Sequence, residues 1–138
     1  MKRIFIIAGL LIILLLPVAS LSCGEGNIKA ALGEEFTLPV GKTADIAGED
    51  LSIQFVEVTE DSRCPTGVEC VWMGVARCRM LMKQAETSKE ITLAQAGGTD
   101  AYEDYSKYKI SFKLEPYPEG AKIKAQSDYK LVMTVTKK

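Results

Sequence analysis

Residues 61–78, DSRCPTGVECVWMGVARC, gather three of the chain's four cysteines, its single tryptophan and an Arg-Cys-Pro corner. Cysteines at this density can serve as nucleophiles, as soft-metal ligands or as a crosslink. A nucleophilic thiol needs a base, and the chain has no histidine, the commonest one. Metal binding has a candidate set in Cys70, Met73, Cys78, Met80 and Met82, because thiolate and thioether sulfur suit Cu(I). Methionine also fills irregular cores, and these residues stand in an apolar context, so the sequence assigns no metal ligand. The acidic pairs Glu34-Glu35, Glu49-Asp50 and Glu103-Asp104 read as solvated turn charges, since neighbouring strand residues point to opposite faces. No Gly-rich phosphate loop and no EF-hand spacing occurs. No catalytic residue and no cofactor are expected.

The crosslink is the better-supported chemistry. Cys70 and Cys78 on one regular strand would be about 26 Å apart, far beyond the roughly 7 Å a disulfide tolerates between Cα atoms. Cys64 and Cys70 instead flank Pro-Thr-Gly-Val-Glu, a segment able to fold back on itself. The expectation is a Cys64–Cys70 disulfide, with Cys78 a buried thiol. Asp61 and Ser62 can bond local backbone at the turn entry. Trp72 is expected in the core beside the disulfide. Arg63 has no evident structural duty: pairing with Asp61 or Glu69 and contact with a ligand both stay open.

These residues must be positioned by strands, because the apolar periodicity is two. Phe36, Leu38 and Val40 alternate with polar neighbours, and Pro39, lacking an N–H, puts that strand at an edge or bulge. Leu51, Ile53 and Phe55 alternate, then the parity slips to Val56 and Val58, as a β-bulge would make it. Cys70, Trp72, Gly74, Ala76, Cys78, Met80 and Met82 share one face of a long run ending at Lys83, and that face is expected in the core. Ile91 and Leu93 suggest a short strand. Tyr108, Ile110, Phe112 and Leu114 form the clearest half-buried strand, and Tyr129, Leu131, Met133 and Val135 the last. Six or seven short strands separated by turns predict an antiparallel β-sandwich, immunoglobulin-like with about seven strands, with a small β-barrel as the alternative. Ser127-Asp128-Tyr129 is compatible with a tyrosine corner, though an ordinary core tyrosine is favoured.

The N-terminus bears on location. Met1-Lys2-Arg3, an apolar run from Ile4 to Pro17 and small residues at Ala19, Ser20 and Ser22 have the layout of a secretory signal peptide over 1–22. Ser20-Leu21-Ser22-Cys23-Gly24 resembles the lipobox of bacterial lipoproteins, which implies lipidation of Cys23. Leu21 stands one place late for that pattern, and ordinary cleavage after Ser20 or Ser22 is the alternative. The expected organisation is a signal segment 1–22, a tether 23–33 and a sandwich 34–138. Without residues 1–22 the chain carries 15 basic and 18 acidic residues. No basic block offers a nucleic-acid surface.

The Asp61-Ser-Arg-Cys-Pro and Cys70-Val-Trp-Met-Gly pairing, with Leu114-Glu-Pro-Tyr-Pro and Asp128-Tyr129, resembles an uncharacterised family of small exported bacterial and archaeal proteins, many of them lipoproteins. The resemblance implies fold and compartment only. A non-enzymatic, lipid-anchored module at the outer side of the cell membrane is the expected function, or a soluble periplasmic or secreted one. Copper binding is the alternative. Arg63, Tyr102 and Tyr105 are the candidate contacts for an unidentified protein or small-molecule partner.

Overall fold

The computed structural model describes residues 26–122 and 124–138. The expected signal segment 1–22 and the lipidation site Cys23 lie outside the described residues.

Among the described residues nine strands form two sheets: β1 (Ile28–Ala30), β2 (Glu35–Pro39), β3 (Thr43–Ile46), β4 (Ser52–Asp61), β5 (Val75–Gln84), β6 (Thr87–Ala96), β7 (Ala101–Tyr105), β8 (Tyr108–Glu115) and β9 (Lys130–Lys137). One sheet has the order β1-β3-β4-β5-β6 and the other β2-β9-β8-β7. All pairings are antiparallel except β1 with β3. The molecule is the β-sandwich the periodicity predicts, and not a closed barrel. Alternate residues of each long strand meet between the sheets: Ile53 and Phe55 of β4, Cys78, Met80 and Met82 of β5, Ile110, Phe112 and Leu114 of β8, and Leu131 and Met133 of β9.

Several local expectations hold for the expected reason. Pro39 lies on β2, an edge strand that pairs only with β9. The parity slip in β4 is a pair of register shifts against β5, between Phe55 and Glu57 and between Val58 and Glu60. Because β3 is only four residues long, the upper half of β4 has no ladder partner on that side. The Gln126 side chain fills part of the gap, accepting from Val58 N at 2.9 Å and donating to Val58 O at 2.7 Å. It thereby satisfies backbone groups that would otherwise go unpaired.

Other expectations are corrected. The tether does not extend to residue 33, because β1 begins at Ile28 and Ala30 is buried. Asp45 stitches β1 down, accepting from Asn27, Lys29 and Ser52. The long run from Cys70 does not start as a strand: β5 begins at Val75, and Cys70, Trp72 and Gly74 precede it in a loop. Glu49 is not a solvated turn charge. Its carboxylate, 8 % exposed, accepts from Tyr108 Oη at 2.7 Å and pairs with Lys107 and Lys137, tying the β3–β4 turn to the second sheet.

A candidate functional site: the stapled loop between β4 and β5

The chain leaves β4 at Asp61 and returns to β5 at Val75, and the intervening residues build a neck and a tip. In the neck, Ser62 N donates to Val75 O at 2.9 Å and Cys64 N to Met73 O at 3.0 Å, continuing the β4–β5 ladder for two more rungs. Gly74 sits between these rungs at φ +68°. A Cβ there would fall 1.8 Å from Ser62 O, so only glycine lets the two chains approach this closely. Its reversed backbone also ends the alternation that would have carried Trp72 inward. The Cys64–Cys70 disulfide then closes the tip, with Cα atoms 5.9 Å apart, as the spacing predicts.

A buried charged network fixes the neck from below. Arg63 Nε and Nη2 donate to Asp61 Oδ1 at 2.7 Å and Oδ2 at 2.9 Å, a two-pronged pairing. Arg63 Nη1 donates to Leu114 O at 2.8 Å and Nη2 to Pro116 O at 3.2 Å. The Tyr129 hydroxyl donates to Asp61 Oδ2 at 3.1 Å, and the Tyr117 ring lies 5.0 Å from the guanidinium carbon. The Arg63 side chain is 0 % exposed. Of the two alternatives left open for it, the pairing with Asp61 is the observed one. A guanidinium turned wholly into the fold is not placed to contact a ligand. Tyr129 is likewise no tyrosine corner, since its hydroxyl reaches the Asp61 carboxylate rather than nearby backbone. Burial, with Asp61 beside it, pushes the Tyr129 phenol up to about 12 and keeps it a donor at neutral pH.

The neck is also braced laterally. Met73 packs on Gly97, where an added Cβ would meet Met73 Cε at 2.9 Å, and Tyr117 packs on Gly98. Thr66 N donates to Pro118 O at 3.0 Å. Gln95, a buried polar residue, donates to Thr99 O at 2.6 Å and accepts from Leu114 N at 2.8 Å, joining the two sheets below the neck.

What this frame holds up is apolar. Val71 and Trp72 are 106 % and 78 % exposed, and Val68 and Met73 are at least half exposed. These four and Tyr102 are the large hydrophobics exposed among the described residues. The prediction that Trp72 sits in the core is therefore wrong, and the indole stands outside the fold. Glu69 is the one charged residue between Cys64 and Met73. Of two open hollows, one of about 450 Å³ lies on the outer face of the second sheet around Ser111 and Thr134, and one of about 340 Å³ lies beside β4 around Thr59 and Gln126 and reaches the neck at Asp61, Pro118 and Tyr129.

The remaining candidates separate. Tyr102 is exposed on edge strand β7, with Lys109 Nζ 4.3 Å from its ring centre, and Tyr105 is partly buried against the core. Both stand on β7, which runs from Ala101 to Tyr105. The sulfur residues fall in three places: Cys70 is in the disulfide, Met73 is at the neck, and Cys78, Met80 and Met82 share the core-facing side of β5. Burial pushes the Cys78 thiol up to about 12, so it stays protonated and unreactive at neutral pH. Among the described residues no group of three or more His, Cys, Asp or Glu is placed to hold a metal ion, and no helix is long and apolar enough to cross a membrane.

No family model, curated protein or solved structure matches the chain.

Proposed function

We propose that this protein is a non-enzymatic binding module displayed at the outer side of the cell membrane, anchored by lipid on Cys23. Its contact surface is the stapled tip carrying Val68, Val71, Trp72 and Met73. The observation that carries this reading is the rigidity with which apolar groups are kept in water. A disulfide, a glycine-only crossing and a buried ion pair hold a tryptophan outside a core that had room for Cys78 and two methionines. Exposed apolar clusters rimmed by polar surface mark interaction sites, and tryptophan is enriched where binding energy concentrates. Export and lipidation rest on the signal-like residues 1–22 and the lipobox-like Ser20–Gly24. The same features support membership of the exported family whose motif the chain resembles.

Hydroxyl-radical footprinting read by mass spectrometry tests the surface, because Trp72 and Met73 are among the most oxidisable side chains. Both should be protected in native envelope membranes and oxidised after extraction. Equal oxidation in the two preparations would refute the tip as a contact surface. The intact mass of the membrane-extracted protein tests the anchor separately through a lipid adduct on Cys23.

A further inference from the structure

The apolar tip hangs on one bond. Its neck is held by groups that do not involve the disulfide: Ser62 N on Val75 O, Gly74 against Ser62, and the buried Arg63–Asp61 pair. Thr66 N, at the near side of the tip, donates to Pro118 O. Beyond it the ties stop. Residues 67–72 are exposed throughout, and among the described residues they make no hydrogen bond or ion pair outside the loop 64–73. Val68 N donates to Pro65 O at 3.3 Å, which stays within the tip. Apart from its two peptide ends, the segment bearing Val68, Val71 and Trp72 is fastened to the fold by Cys64–Cys70 alone.

That bond is within reach of solvent. Cys70 is exposed and Cys64 half-buried, and exposed disulfides are the ones that thiols reach and reduce. The core does not depend on it, since the β4–β5 pairing ends at Asp61–Ala76, below the neck. The free thiol of Cys78 is buried and protonated, so it does not compete for either sulfur.

We propose that the Cys64–Cys70 disulfide is a redox latch on the contact surface. A dithiol reductant opens it in the folded protein and releases the tip, while the sandwich and the neck stay formed. This rests on the contact-surface reading above and names the regulation of that surface. A thiolate of the dithiol attacks the exposed Cys70 Sγ, the S–S bond breaks, and Cys64 leaves as a thiolate. The second thiolate of the reductant attacks the mixed disulfide and frees Cys70. Two electrons pass to the protein, the dithiol becomes its own disulfide, and its two protons return through water to Cys64 and Cys70. Oxidised, the latch presents Val68, Val71 and Trp72 in one arrangement. Reduced, the same residues spread over many and lose the preorganisation that binding draws on.

Dithiothreitol added to the full chain tests the latch, with Cys64→Ser/Cys70→Ser as the permanently open form. Both cysteines should become open to alkylation while far-UV circular dichroism stays native, and about tenfold more dithiothreitol should reduce them about tenfold faster. Trp72 is the only tryptophan in the chain, so its anisotropy decay reports on the tip. The slow component of that decay should fall on reduction and be equally low in the double variant. Reduction that proceeds only at the unfolding rate, whatever the reductant concentration, overturns the proposal. So does an anisotropy decay that reduction leaves unchanged. If Trp72 is protected in native envelope membranes and stays protected after reduction, the contact surface stands and its regulation falls. Trp72 unprotected in both states sinks the contact reading, and the anisotropy decay alone then decides the latch.

Discussion

Replacing Arg63 with alanine tests the support of the tip most directly. The substitution leaves the Asp61 carboxylate, 8 % exposed, with the Tyr129 hydroxyl but without its guanidinium. It also removes the Arg63 donors to Leu114 O and Pro116 O and opens a cavity under Tyr117. Removing one partner of a buried ion pair costs about 3–5 kcal/mol, whereas trimming a solvated arginine costs less than about 0.5 kcal/mol. Those figures differ enough to decide the matter. For a domain of this size the larger one lowers Tm by on the order of 15–25 °C. Urea unfolding followed by far-UV circular dichroism measures it. Trp72 fluorescence is a poor probe, because the indole is already solvated in the folded state. The double variant Asp61→Asn/Arg63→Met leaves no lone charge inside and should recover at least half of the loss. An Arg63→Ala protein within about 1 kcal/mol of the parent would refute the buried network.

The same frame yields further expectations. Gly74→Ala places a methyl group 1.8 Å from Ser62 O at φ +68°, so it should cost more than about 2 kcal/mol and increase exchange of the Ser62 and Cys64 amides, read by hydrogen exchange. Cys64→Ser/Cys70→Ser should lower stability by roughly 2 kcal/mol in the same urea assay and leave the core intact. Acid should unfold the molecule through two carboxylates. Hydrogen bonds from Lys137 and Tyr108 hold Glu49 at about 2 against an ordinary 4.5, and those from Lys29, Ser52 and Asn27 hold Asp45 at about 2 against 3.8. Folded-state values below the unfolded ones mean that their stabilisation is complete above about pH 4.5 and is lost as the pH falls toward 2. A Tm series across that window should decline, and Glu49→Gln should flatten it.

The parts of this structure that are legible in sequence are those with a period. Strands β4, β5, β8 and β9 each send alternate apolar residues between the sheets, and the bulge in β4 announces itself as a parity slip at Val56 and Val58. Strands β1, β3 and β7 are three to five residues long. Too few of their residues are apolar for alternation to register, and their pairing is decided by neighbours distant in the chain. Arg63 shows the same limit. Its nearest partner, Asp61, is two residues away, but the carbonyls of Leu114 and Pro116 that complete its shell lie more than fifty residues on. Sequence can suggest the pair but not the burial.

Alternation misplaces Trp72 for a more instructive reason. Alternation assigns it to the core face only if the strand begins at Cys70, and two local facts prevent that. The disulfide bends Cys70 back toward Cys64, and the left-handed backbone of Gly74 breaks the strand before Val75. Both residues are visible in the sequence, so the signal was present: a cysteine expected to close a small loop cannot also lie in a regular strand directed away from it. The disulfide prevails, and it leaves the apolar residues Val71, Trp72 and Met73 in the stapled loop, outside the core. An indole there costs apolar burial on the order of 2 kcal/mol, and the buried Arg63–Asp61 pair beneath it adds desolvation that an apolar pair would avoid. Two unfavourable features side by side, one holding the other in place, make physical sense when something outside the chain covers the tip.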